Sequence, residues 1–205
     1  AGRQIAKTDA KSQTIQYAYD SNGRLITRKY PDSSSVQFSY ASTGKRLTVT
    51  DKRGTTHYAY DLRDHLTKLT YPDSKAINYG YEANSRISTL SGLAGTISYI
   101  YTSGGRLKEV HDPQGKVTTY SYDPAGNRTG LAYPNGTSAS YTYDTNNRLT
   151  NLSHKNSVSE VLASYAYMLG AIGNRTRIDE ASGIFRQYQY DKLYRLTREQ
   201  VADPT

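Results

Sequence analysis

Tyr17-Ala18-Tyr19-Asp20-Ser21-Asn22-Gly23-Arg24-Leu25 recurs along the chain with substitutions, and its second tyrosine marks each copy. The marker returns as Tyr40, Tyr60, Tyr81, Tyr101, Tyr122, Tyr143, Tyr167 and Tyr190, at intervals of 21, 20, 21, 20, 21, 21, 24 and 23 residues. Nine phased copies at a period within roughly 20 to 50 residues indicate an array, in which each unit buries its apolar face against its neighbours.

Ile15, Tyr17 and Tyr19 stand at alternate positions, so in a strand they share one face. Phe38/Tyr40, Tyr58/Tyr60, Tyr79/Tyr81, Tyr99/Tyr101, Tyr120/Tyr122, Tyr141/Tyr143, Tyr165/Tyr167 and Tyr188/Tyr190 repeat the alternation, mostly around a small or polar residue. Asp20-Ser21-Asn22-Gly23 then predicts a type I turn closed by a left-handed residue. The aspartate can accept from amides two residues on, and Gly23 is free to take positive φ. Asp61, Asp123, Asp144 and Asp191 repeat the acid, while Gly44, Gly105 and Gly126 repeat the glycine. Asp64, Ser85, Asn147, Ala171 and Tyr194 substitute for that glycine; left-handed backbone suits Ala171 and Tyr194 poorly. Gly173, two residues beyond Ala171, predicts a longer turn there.

Arg24-Leu25, Arg46-Leu47, His65-Leu66, Arg86-Ile87, Arg106-Leu107, Arg148-Leu149 and Arg195-Leu196 open the second strand. The arginine is placed to pair with the acid at the turn entrance, as Arg24 with Asp20, Arg148 with Asp144 and Arg195 with Asp191. Exposed, such a pair is worth about 0–1 kcal/mol, so its expected contribution is to fix the turn; His65 reads as a surface substitute. Pro31, Pro72, Pro113 and Pro134 mark the second turn, where a fixed φ and a missing N–H suit a connection. Asp51-Lys52-Arg53-Gly54 takes the same place without proline. Two stretches depart from the pattern. Ser153–Glu160 reads as a longer hairpin loop, and residues 168–173 carry a second surplus.

Strand, turn, strand, turn in nine copies gives about 18 antiparallel strands. Open twisted sheets seldom exceed about ten strands without curling or splitting. The expected fold is therefore all-β: a long antiparallel meander of repeated β-hairpins curling into a spiral or open-cylinder shell wall. Its tyrosine face is either the buried side of a double layer or the lining of a concave shell. Residues 1–205 read as one array of about nine repeats of 20–24 residues. Gly2-Arg3-Gln4-Ile5 enters in mid-unit and Asp203-Pro204-Thr205 resembles the start of a further turn, so the expectation is a piece cut from a longer array.

Composition fits an amphipathic packing. Leu, Ile, Val and Phe make up only 34 of 205 residues, which with a net charge of +8 would suggest disorder. The 21 tyrosines reverse that reading, since each offers about 150–250 Å² to bury and a hydroxyl to satisfy. The 26 Lys and Arg are dispersed among 18 Asp and Glu, which disfavours a dedicated nucleic-acid face. No 18-residue apolar run is present, so no membrane-spanning helix is expected.

Chemistry is sparse. The absence of cysteine excludes disulfides and thiolate catalysis. His57, His65, His111 and His154 have no metal-ligand spacing. No nucleophile elbow, phosphate-binding glycine loop or HExxH occurs. Asp51, Asp61 and Asp64 are close in sequence, but turn roles account for Asp51 and Asp61. The expectation is no catalytic residue, no cofactor and no metal, with the tyrosines, turn acids, glycines and arginines named above serving as structural anchors.

The unit Tyr-x-Tyr-Asp-x-x-Gly-Arg-Leu-Thr, clearest at Tyr17–Leu25, Tyr120–Thr129, Tyr141–Thr150 and Tyr188–Thr197, closely resembles the YD repeat of RHS-repeat proteins. That family includes bacterial RHS polymorphic toxins, the B and C components of insecticidal toxin complexes, and the teneurins. The resemblance implies a sheet spiralling into a hollow cocoon, which in the bacterial toxins encloses a variable C-terminal toxic domain. The chain would be a non-enzymatic length of wall in a secreted or cell-surface bacterial protein. Its partners would be the remaining repeats and an enclosed toxin domain, and isolated edges could self-associate. The family's closing region with self-cleaving aspartates has no full match: Asp112-Pro113 and Asp123-Pro124 sit within ordinary repeats, and Asp203-Pro204 lies at the end of the sequence. The alternative from a different class is a cell-surface module that binds carbohydrate through exposed tyrosines.

Overall fold

The computed structural model describes residues 2–203; Pro204 and Thr205, with the further turn expected there, lie outside them. Nineteen strands and no helix are found among the described residues. The chain divides into two compact units, Ala1–Ser98 and Tyr99–Thr205.

In the first unit the strands are β1 (Ala6–Thr8), β2 (Thr14–Tyr19), β3 (Leu25–Lys29), β4 (Ser35–Tyr40), β5 (Arg46–Asp51), β6 (Gly54–Tyr60), β7 (Leu66–Thr70), β8 (Ala76–Tyr81), β9 (Ile87–Gly92) and β10 (Gly95–Tyr101), the last running across the boundary. In the second they are β11 (Leu107–His111), β12 (Val117–Tyr122), β13 (Arg128–Ala132), β14 (Ser138–Tyr143), β15 (Leu149–Lys155), β16 (Val161–Leu169), β17 (Arg175–Glu180), β18 (Phe185–Tyr190) and β19 (Leu196–Ala202). Within each unit consecutive strands pair antiparallel, as in β2–β3, β3–β4, β12–β13 and β13–β14.

One register device recurs. The ladder shifts just before the second aromatic, between Ala18/Tyr19, Ser39/Tyr40, Ser121/Tyr122 and Thr142/Tyr143 among others. The extra residue lies on the following strand, Ile26 between the partners of Ala18 and Tyr19 and likewise Thr129 and Thr150, while the left-handed residue sits in the turn before it: Gly23 at φ 76°, Gly126 at 96° and Asn147 at 60°. Asp20 N–H donates to Arg24 O at 2.9 Å and Gly23 N–H to Asp20 O at 2.9 Å, which closes a three-residue hairpin loop with its bulge. The proline end uses the same geometry, with Tyr30 N–H to Ser34 O at 2.9 Å and Ser33 at φ 65°. Two connections are shorter. Asp51 pairs with Gly54 and Gly92 with Gly95 across two-residue loops, which accounts for the two 20-residue intervals.

The departures in the second unit have one origin. Ser153, His154 and Lys155 are strand residues of β15, and the connection to β16 is the ordinary Asn156–Glu160 turn. The expected long loop is thus a long hairpin, with strands of 7 and 9 residues where β13 and β14 have 5 and 6. The turn after β16 is not longer either. It runs from Gly170 to Asn174 with Gly173 at φ 92°, because the strand continues past Tyr167 and its bulge falls between Met168 and Leu169. Leu169 therefore stands where other copies have their second aromatic, and Tyr167, opposite Ile178, stands where they have their first. Counted from Leu169, the next interval is the ordinary 21 residues.

Among the described residues no second layer covers either unit. Ala139 and Ile178 are the only buried apolar residues described, and no side chain is fully buried. Strands such as β2, β4 and β12 alternate half-buried aromatic positions with exposed small or polar ones. Coverage of the tyrosine face comes from cross-strand neighbours: Phe38 opposite Val49, Tyr58 opposite Leu69, Tyr79 opposite Leu90, Tyr141 opposite Leu152. Arg28 and Glu199 break this rule by facing Tyr17 and Tyr188. Arg28 lies with its guanidinium 5.7 Å from the Tyr17 ring centre, and its buried Nε has no hydrogen-bond partner among the described residues.

Tyr194 adopts φ 59° in the slot that suits glycine. Left-handed backbone costs an ordinary residue about 1–2 kcal/mol, and the ring is 60% exposed, so burial offsets little of this. Tyr194→Gly is expected to raise stability by about 1 kcal/mol. Slower amide exchange in β18 and β19 would show it; unchanged or faster exchange would refute it.

Candidate functional site

The geometry that repeats is a tie between consecutive copies, built from an acid, a cation and the next copy's tyrosine. Asp20 Oδ1 accepts the backbone N–H of Arg24 at 2.8 Å, and Oδ2 accepts Arg24 Nε at 2.7 Å. The guanidinium then reaches forward. Its carbon lies 4.9 Å from the centre of the Tyr40 ring, and Nη1 donates to Ala41 O at 2.9 Å. Tyr40 reaches back, its hydroxyl donating to Leu25 O at 2.8 Å. Every group in the loop of contacts is satisfied by another.

The backward bond spans 15 residues each time: Tyr19 to Gln4 O, Tyr81 to Leu66 O, Tyr122 to Leu107 O and Tyr143 to Arg128 O, at 2.8–3.0 Å. The acid–cation pair recurs at Glu82–Arg86, Asp144–Arg148 and Asp191–Arg195, each at 2.7 Å. Arg148 donates to Gly170 O at 3.2 Å. This forward partner is the residue after Leu169, which agrees with Leu169 taking the second aromatic's place.

His65 keeps the same seat. Its Nδ1 lies 2.9 Å from Asp61 Oδ2 and its ring stacks on Tyr81 at 4.7 Å, so it is a part-buried member of a tie, not a surface substitute. In the 123–127 turn Asn127 stands in for the arginine, donating from Nδ2 to Asp123 Oδ2 at 2.9 Å and to Asn147 Oδ1 at 2.7 Å. Arg46 is displaced from the expected position. Lys45 follows Tyr40 by the five residues that separate Arg24 from Tyr19, whereas Arg46 pairs with Tyr40 across the strands and lies over Phe38 at 5.2 Å. Arg175 repeats that arrangement over Tyr167 at 5.1 Å. The adjacent Lys-Arg hid this in the sequence; counting from the left-handed glycine, Gly44, reveals it.

The electrostatics of the turns follow from these bonds. The backbone N–H four residues on holds the carboxyls of Asp20, Asp61, Asp144 and Asp191 below the ordinary 3.8, and the hydrogen bond from that residue's side chain adds to it. Asp123 is lowered first by the Asn127 side chain. Burial raises Tyr60 and Tyr81 above the ordinary 10.0. Among the described residues no group of His, Asp or Glu could hold a metal ion, and no helix is long and apolar enough to cross a membrane.

An all-β chain of phased hairpins, tied copy to copy through half-buried tyrosines, defines a structural repeat wall. The chain belongs to the teneurin YD-shell family, whose model matches residues 1–203. Among solved structures, TcdB2-TccC3-TEV is similar with a TM-score of 0.71 at 17% identity, over 95% of this chain and 12% of that one. TcdB2-TccC3-Cdc42 gives 0.55 at 13% identity, over 94% and 13%. A Tc holotoxin pore of Photorhabdus luminescens gives 0.53 at 13% identity, over 99% and 15%. At these identities the likeness is one of fold. The chain spans about an eighth of the length of the first of these structures. No curated relative matches the sequence.

Proposed function

We propose that this chain is a length of wall in a shell that encloses a toxin or effector domain, and that its own part is mechanical, not catalytic. The observation that carries the reading is the tie of Asp20, Arg24, Tyr40 and the Leu25 carbonyl, repeated with substitutions from copy to copy. It joins consecutive hairpins without a buried core, as a thin wall requires. The curl of the sheet, the secreted or cell-surface setting and the enclosed domain rest on kinship with YD-shells and on fold likeness to TcdB2-TccC3 assemblies.

Limited proteolysis of the complete reading frame that contains this segment tests the proposal. A folded or unfolded C-terminal domain should resist protease while the wall is intact and become cleavable when Arg24, Arg86 and Arg148 are replaced together by alanine. Equal digestion with and without the ties would overturn it. Carbohydrate binding through the paired tyrosines has less support, because the exposed tyrosines are Tyr71, Tyr133 and Tyr194, outside the pairs.

A further inference from the structure

One copy lacks half of its tie. In the turn after Tyr101 the acid position is Thr102, while the arginine is retained as Arg106. Thr102 Oγ1 accepts the Arg106 backbone N–H at 3.1 Å, as an aspartate would, and the guanidinium still lies over the next tyrosine, 5.8 Å from the centre of Tyr122. No ion pair or side-chain hydrogen bond of that guanidinium is found among the described residues, and Arg106 is exposed where Arg24, Arg86 and Arg148 are half-buried. Elsewhere the acid is missing at Ala41, beside Lys45, and at Gly170, beside Asn174. Thr102 is thus the described position where an arginine of the tie has lost its carboxylate.

The seat lies in a shallow, solvent-open depression of about 430 Å³ lined by Thr102, Ser103, Arg106, Lys108, Tyr122 and Asp123 among others. Lys108 pairs with Glu109 at 2.9 Å. The Asp123 carboxylate is engaged by Asn127 through both oxygens, at 2.8 Å to the backbone N–H and 2.9 Å to Nδ2. Arg106 is therefore the charge left to be matched.

We propose that the Thr102–Arg106 turn binds a carboxylate presented by an acidic peptide. An aspartate or glutamate side chain takes the place that the chain's own acid fills beside Arg24, Arg86, Arg148 and Arg195. Those four pairs show that the seat accepts a planar carboxylate at 2.7 Å, the geometry in which a charge-assisted bond to arginine is strongest. Asp123 on the wall of the depression disfavours a dianionic phosphate over a singly charged carboxylate. The depression exceeds a carboxylate alone, and the hydroxyls of Ser103 and Ser121 and the Tyr120 ring leave room and polar contacts for the residue that carries it. The site follows from this chain's chemistry and does not depend on whether the wall encloses a cargo.

The test is an NMR titration read at the Arg106 Nε–H, using a short capped glutamate peptide, with acetate and inorganic phosphate as comparison probes. The peptide should give a saturable shift that weakens with salt, and acetate should bind at least about tenfold more weakly. Thr102→Asp should abolish the shift by filling the seat from within, while raising the melting temperature. Arg106→Gln should weaken binding at least about tenfold. Absence of a saturable shift, undiminished binding by Thr102→Asp, or tighter binding of phosphate than of peptide would each overturn the proposal.

Discussion

Replacing Tyr40 by alanine is expected to destabilise the hairpins around it by about 3 kcal/mol, against about 1 kcal/mol for Tyr40→Phe. The alanine variant loses the ring that Arg24 lies against and the hydroxyl that satisfies Leu25 O. It also opens a gap that a single-layer sheet has no core to refill. The phenylalanine variant keeps the ring and leaves only the Leu25 carbonyl without its donor, so the two variants separate packing from hydrogen bonding. An array opens locally instead of all at once. The measurement is therefore amide exchange in β3, β4 and β5, with strands several copies away as internal reference. Equal effects of the two substitutions would show that the ring contributes little and that the tie is a hydrogen-bond device alone.

Acid is expected to dissolve the ties together. Nine carboxyls are held low, those of Asp20, Asp32, Asp51, Asp61, Asp73, Glu109, Asp123, Asp144 and Asp191. A group whose folded pKa is depressed contributes stability that is fully present above its unfolded value and is lost as pH falls through the folded one. With ordinary values of 3.8 for Asp and 4.5 for Glu, the loss begins near pH 4.5 and deepens below pH 3.8. Tyr60, Tyr81 and Tyr188 act in the opposite sense. Burial raises them, so their contribution is present below the ordinary 10.0 and is lost as pH rises beyond it. The melting temperature should therefore be level between about pH 5 and 9 and fall on both sides. Asp144→Asn should shallow the acid limb. A melting temperature that holds constant down to pH 3 would show that the turn carboxylates are not linked to folding.

The division between what could be read early and what could not follows from the range of each interaction. Alternation of Tyr17, Ala18 and Tyr19, the Asp20 turn and the Gly23 slot are local, so the strands, the hairpin turns and the period were legible from neighbours in sequence. The pair of Asp20 with Arg24 was legible too, because the turn brings residues four apart together. The forward half of the tie was not. Arg24 meets Ala41 and Tyr40 meets Leu25 across 15 to 17 residues, and which atoms face one another depends on strand register.

Register also decided the long hairpin. Tyr165 and Tyr167 imitate the repeated pair, but the bulge falls at Leu169 because the turn forms where Gly170 and Gly173 allow it. The same lookalike problem placed Arg46 in a seat that belongs to Lys45. The sequence by itself determined an all-β array of tyrosine-bearing hairpins, since period-two alternation and left-handed turn residues act within a few residues. The tertiary structure alone decided how the copies grip one another and that His65 is part of that grip. Each of these rests on contacts between copies, whose partners are set by pairing across the sheet and not by position along the chain.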